Sequence, residues 1–107
     1  MNNKKITIIG VGYVGLPLAV ELSNHFIVTG YDANKAKIDN LKAGIDHNQQ
    51  YSKKKIIKKN LTFTNEKNKI KDSNIYIVCV PTPVTKKNLP NLIYLKKASI
   101  LIGNVIK

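Results

Sequence analysis

Residues 8 to 19, IIGVGYVGLPLA, place three glycines within six positions, directly after one apolar run and directly before another. That arrangement narrows the choice of fold more than any other feature of the chain. The preceding KITIIG (5 to 10) is short and β-branched, as strands buried on both faces of a parallel sheet are. A helix is expected from Val14 to about Asn24, with Leu16, Ala19, Val20 and Leu22 as its apolar positions. Pro17 falls in its first turn, where a missing N–H costs little. Gly10, Gly12 and Gly15 therefore stand at a strand-to-helix turn in the pattern G-x-G-x-x-G. The first permits the sharp turn, the second lets the backbone approach a pyrophosphate, and the third lets helix and sheet pack closely.

The spacing alone is a weak signal, and its context strengthens it. A second strand, FIVTGYD (26 to 32), ends on Asp32, which lies 22 residues after Gly10. An acid there can accept hydrogen bonds from adenosine ribose hydroxyls and would repel a 2′-phosphate, so the residues point to NAD rather than NADP. Lys35 and Lys37 soften that preference. A βαβ turn with a surface acid and no nucleotide is the plain structural alternative.

Farther along, Asn34 is placed to cap a helix running to about Ala43, with Ile38 and Leu41 on one face and Gly44 ending it. A short basic helix capped by Ser52 and an edge strand LTFT (61 to 64) are expected next. A polar helical stretch over 65 to 73 then leads into a buried strand NIYIVCV (74 to 80). The Pro-bearing loop PTPVTKKNLP and an apolar helix from about Leu92 to Val105 complete the pattern. Alternating strands and helices imply an α/β fold, a Rossmann-like parallel sheet with helices on both faces. The expected strand order is 3-2-1-4, with ligands bound outside the carboxyl ends of strands 1 and 4.

Composition limits the competing readings. The chain of 107 residues suits one domain, and 43% hydrophobic content is globular. A net charge of +12 invites a nucleic-acid reading, yet every one of the 18 basic residues is Lys. Arg, which supplies most bidentate base and phosphate contacts, is missing. The dense run KKKIIKK (53 to 59) has no interleaved aromatics and reads as a solvated face. No secretory signal or membrane span is readable, so a cytoplasmic location without membrane partners is expected. A lone cysteine, Cys79, excludes an internal disulfide and reads as a buried structural thiol within its strand. His25 and His47 read as exposed, and no metal-ligand or Ser/His/Asp spacing is present.

With the glycine turn and VPTP both placed, the chain resembles the N-terminal NAD-binding domain of the UDP-glucose/GDP-mannose dehydrogenase family. The resemblance is carried by ITIIGVGYVGLPLAVELS, VTGYDANKAKIDNLKAGID, IYIVCVPTPV and NLIYLKKASILIG, with the finer look of the branch acting on UDP-N-acetylhexosamines in capsule or O-antigen synthesis. It implies oxidation of a sugar C6 hydroxyl with NAD as cofactor. By resemblance, Gly12, Tyr13 and Val14 lie against the pyrophosphate, Asp32 against the ribose, Lys37 beside it, and Thr82 on the nicotinamide side. The chain departs from the family pattern at Gln50, where relatives carry an acid, and at Asn91 in PNL, where they carry Asp.

Residues 1 to 107 are then a partial dinucleotide-binding domain. The family's central helical and sugar-binding domains, and with them its thiol nucleophile and the UDP-sugar contacts, are expected outside these residues. The chain is expected to be a fragment without turnover, with an apolar flank on strand 4 and the last helix open to aggregation, self-association or a partner. Two other classes stay open on the residues: a stand-alone nucleotide-sensing module on the same fold, and a basic binder of nucleic acid.

Overall fold

A computed structural model describes residues 4–106. Strands β1 (Lys5–Ile9), β2 (Ile27–Tyr31), β3 (Leu61–Thr64) and β4 (Ile75–Val78) form one parallel sheet in the order β3-β2-β1-β4, as expected. Helices α1 (Gly15–Leu22), α2 (Lys35–Lys42), α3 (Lys53–Ile56) and α4 (Ile93–Val105) connect and flank them. Alternation along the strands divides the apolar side chains between two faces. Ile6, Ile8, Val28, Leu61 and Phe63 pack with Leu16, Ala19 and Val20 of α1, Ile38 and Leu41 of α2, and Ile56 of α3. On the opposite face Ile9 packs with Ile70 and with Ala98 and Val105 of α4, flanked by Tyr31, Tyr76 and Val78.

Local chemistry sets the element ends. Asn34 caps α2 through its side-chain oxygen, which accepts from the Lys37 amide at 3.1 Å, and Gly44 follows the helix at φ +83°. These match the sequence reading. Ser52 precedes α3 as expected, but its hydroxyl makes no capping hydrogen bond.

Three expectations are corrected. The stretch 65 to 73 is not a helix: only Lys67–Lys69 forms a 3-10 turn. Bonds to groups outside the stretch take the place of helical ones. Ser73 pairs through its hydroxyl with Thr7, Glu66 donates its amide to Thr64 Oγ1 at 3.0 Å, and the Tyr76 hydroxyl donates to the Ile70 carbonyl. Strand β4 is half-buried rather than buried: it takes the edge position that the expected order gives it, nothing pairs on its outer side among the described residues, and Ile75 is 41% exposed. Cys79 lies one residue past β4 and is half-buried, although its amide still donates to the Ile9 carbonyl at 2.7 Å. The expected apolar flank is present: Ile93, Tyr94, Leu95 and Ile100 of α4 are all exposed.

Candidate functional site

The carboxyl ends of β1, β2 and β4 converge on the glycine turn. Gly10 holds φ +98°, and its amide donates to the Tyr31 carbonyl at 2.7 Å. A side chain at Gly10 would meet the Cys79 carbonyl oxygen at 2.8 Å, so the β1 turn and the end of β4 touch backbone to backbone. At Gly15, the first residue of α1, a Cβ would collide with the Gly10 carbonyl. Gly12 is different: a Cβ there would have no atom within 4 Å, which leaves its outer side open. The amides of Gly12, Tyr13 and Val14 have no backbone partner among the described residues. They sit at the positive end of α1, with the Tyr13 and Val14 side chains 73% and 69% exposed. Free amides on a helix N-terminus form a ready receptor for an anion.

Asp32 is fixed beside this turn. Its Oδ2 accepts from the Val11 amide at 3.1 Å and from Lys37 Nζ at 3.4 Å, while Oδ1 accepts from the Asn34 amide at 3.0 Å. The Asp32 amide donates to the Thr64 carbonyl at 3.2 Å, which anchors the loop to β3. Two carboxylate oxygens offer about four acceptor positions, so three donors leave one for a ligand hydroxyl.

A cavity of about 550 Å³ opens on this carboxylate. Gly10, Asp32 and Lys37 line it together with Tyr31, Val80 and Pro81. Tyr94, Lys97, Ala98 and Leu101 of α4 close the other side. Its volume falls within the range of small-molecule sites, and its combination of apolar walls with one oriented carboxylate suits a nucleoside. The residues present fit a dinucleotide of the NAD type: one open acceptor position on Asp32 and an open backbone face at Gly12 adjoin the cavity. A 2′-phosphate would face the carboxylate. Burial, and secondarily the neighbouring Asp32 charge, push the Tyr31 phenol above its ordinary pKa.

Of the residues expected from sequence, the structure brings Gly10, Asp32 and Lys37 into one cavity, with Gly12, Tyr13, Val14 and Gly15 on the adjoining turn. Thr82 is not among the cavity-lining residues. It is exposed in the loop after β4, next to Pro81, which does line the cavity. Sequence reasoning missed the α4 wall, although 94, 97, 98 and 101 have the spacing of one helical face. Gln50 lies away from this cavity, where its amide donates to Asp46 Oδ2 at 2.8 Å. Among the described residues no group of three or more His, Cys, Asp or Glu could hold a metal, and no helix is long and apolar enough to cross a membrane.

Comparison with known proteins bears on the family and the fold. A UDP-N-acetyl-D-glucosamine 6-dehydrogenase of Salmonella typhi is 47% identical over 103 residues, covering 95% of this chain and 24% of the relative. A protein of the same name from Pseudomonas aeruginosa is 39% identical over 108 residues, covering 100% of this chain and 26% of its own length. The solved structure of a UDP-D-ManNAc dehydrogenase from Pyrococcus horikoshii superposes with a TM-score of 0.87 at 29% identity, over 94% of this chain and 25% of that one. The chain thus spans about a quarter of the length of these relatives. The model of the UDP-glucose/GDP-mannose dehydrogenase family NAD-binding domain matches residues 4–107, and the chain belongs to that family.

Proposed function

We propose that this chain is the NAD-binding portion of a nucleotide-sugar 6-dehydrogenase that oxidises the C6 hydroxyl of a UDP-N-acetylhexosamine for surface polysaccharide synthesis. The observation that carries the cofactor half is the Val11 amide bonded to Asp32 at 3.1 Å, which places the carboxylate beside the glycine turn. The names of the relatives support the substrate class.

NAD supplies the hydride acceptor when bound. The chain's own residues bind and orient. The amides of Gly12, Tyr13 and Val14 receive the diphosphate against the open side of Gly12, with Gly10 and Gly15 keeping the turn tight. Asp32 accepts from the ribose hydroxyls, and Lys37 holds the carboxylate in place. Thr82 offers its hydroxyl to the nicotinamide side from a loop stiffened by Pro81 and Pro83.

Carrying the sugar through to the acid requires an activated thiolate at the nicotinamide. Cys79 does not provide one: it is half-buried beside the Gly10 backbone, and burial pushes its thiol above the ordinary range. The chain by itself is therefore assigned dinucleotide binding without sugar turnover.

Titration calorimetry with NAD and NADH tests this directly. Binding is expected in the wild-type chain, weakened about tenfold or more in Asp32→Ala, and weaker for NADP than for NAD. A mixture of NAD and UDP-N-acetylglucosamine should give no rise in NADH absorbance. Unchanged NAD affinity in both Asp32→Ala and Gly12→Val would overturn the site, and turnover by the chain would overturn the assignment of binding alone.

A further inference from the structure

We propose that the outer edge of β3 is a docking site for an extended segment of a partner protein in which apolar and acidic residues alternate. The site is independent of the dinucleotide reading: it lies at a second cavity, of about 430 Å³, which shares no lining residue with the first.

The walls of this cavity come from both faces of the sheet. On the side of α2 and α3 they are apolar, built by Ile56, Ile57 and Phe63. On the other side they are Thr29, Thr62 and Lys69, the last carried by the 3-10 turn. A cavity walled from both faces lies across the rim of the sheet, and β3 is the terminal strand there. Strand alternation fixes what that rim presents. The Asn60 and Thr64 carbonyls accept from the Val28 and Asp32 amides, so the backbone of every second residue, Thr62 included, is turned toward β2. Leu61 and Phe63 are turned outward. The Leu61 amide donates to the Lys58 carbonyl at 3.4 Å. The Phe63 N–H and C=O remain on an edge that no strand covers among the described residues, and such a pair is a template for strand addition.

Charge decides what can take that template. Residues 53 to 71, which run through α3, β3 and the 3-10 turn, hold eight lysines and one acid, Glu66. Lys42 and Lys69 line the cavity and are exposed, and Lys69 has a solvent-exposed pair with Glu66 at 3.7 Å to exchange. Lys58 also lines it, but its ammonium is engaged by Ser23 and Asn24. A second copy would bring these lysines against one another, and like charges across a strand pair are destabilising. An acidic strand meets the opposite sign. Its alternate side chains divide as the cavity does: apolar ones on the face of Phe63 and the 50% exposed Ile57, carboxylates on the face of Thr62 and Lys69.

The experiment is fluorescence anisotropy of the 107-residue chain with a short labelled peptide of alternating Val and Glu. Two controls run beside it, the same peptide with Lys in place of Glu and the same peptide N-methylated throughout. The Val-Glu peptide should bind saturably, less tightly as salt rises, and neither control should bind. Lys42→Gln combined with Lys69→Gln should weaken binding by about fivefold, with thermal melts reporting any effect on the fold. In amide NMR spectra, the Phe63 resonance should shift most and gain protection from hydrogen exchange when the peptide is added. NADH should not displace the peptide, so this site and the dinucleotide site fail or stand separately. No saturable binding, equal binding of either control, unchanged affinity in the double variant, or largest shifts away from β3 would overturn the proposal. A dimer in sedimentation whose Phe63 amide is protected without peptide would make a second copy the occupant and overturn it as well.

Discussion

The Val11 amide and the Asp32 carboxylate meet across 3.1 Å, and through that bond the turn leaving β1 and the loop leaving β2 become one unit. Neither residue is close to the other in sequence; the parallel pairing of Ile9 with Tyr31 brings them together. The carboxylate therefore has a structural task before any ligand arrives. Asp32→Ala removes the acceptor for the Val11 and Asn34 amides and should lower stability by about 1–2 kcal/mol, while Asp32→Asn, which keeps one carbonyl oxygen, should lose less. Urea unfolding of the two variants checks the order.

The three glycines of the turn should respond differently to substitution. Gly10→Ala places a side chain 2.8 Å from the Cys79 carbonyl at φ +98°, and Gly15→Ala drives one into the Gly10 carbonyl. Each should cost about 2 kcal/mol or more, as strained or overpacked sites do. Gly12→Val meets open space and should leave the melting temperature nearly unchanged while abolishing dinucleotide binding. A Gly12→Val variant as unstable as Gly15→Ala would contradict the assignment of that open side to the ligand.

Asp46 is buried and accepts three amides, from Asn48, Gln50 and Tyr51, at 3.0, 2.8 and 3.1 Å. It holds the loop between α2 and α3 in shape. Asp46→Ala leaves those donors without their acceptor and should destabilise by about 2–3 kcal/mol. Proteolytic nicking confined to residues 45–52 would be the accompanying sign, read by limited proteolysis and mass spectrometry.

Lys58 crosses from the segment before β3 to the end of α1, where Nζ donates to Ser23 Oγ at 2.8 Å, Asn24 Oδ1 at 2.6 Å and the Val20 carbonyl at 3.4 Å. A cation at a helix C-terminus also meets the negative end of its dipole. Lys58→Met keeps much of the aliphatic stem and removes these bonds. A loss of about 1 kcal/mol is expected, larger than for Lys59→Met, as measured by denaturant midpoints.

Burial raises both the Cys79 thiol and the Tyr31 phenol, the latter with help from Asp32. Each group stays neutral in the folded chain to higher pH than in the unfolded one, so the unfolded state loses its proton first. Stability is then full below the unfolded values, about 8.5 for Cys and 10 for Tyr, and falls as pH rises through the folded ones. Tyr31→Phe and Cys79→Ala should each flatten part of that alkaline loss. The thiol should also react slowly with maleimide at pH 7.

Much of the sheet was legible because its signals are local. The β-branched run before Gly10, the Asn34 cap and the acid closing β2 each state their role within a few residues. Residues 65 to 73 misled because lysine and asparagine permit a helix that no core face rewards; Ile70 alone is fully buried there. The half-exposure of β4 was legible only in part: its apolar residues read as a buried strand, although the expected order already left its outer side open. The α4 wall was illegible because the exposed Tyr94 and the core-bound Ala98 share one helical face, and the pattern does not say which of them borders a cavity.

Strand β1 precedes the other three in the chain and is paired on both sides, and this sets an order of assembly. Its pairing with β2 bridges about twenty residues, whereas its other edge waits for β4 roughly seventy residues later. On a ribosome, the half-sheet β3-β2-β1 can form while the opposite flank of β1 is still bare. A nascent chain paused in the stretch between β3 and β4 would therefore expose Thr7 and Ile9, and that interval is when a chaperone has most to shield.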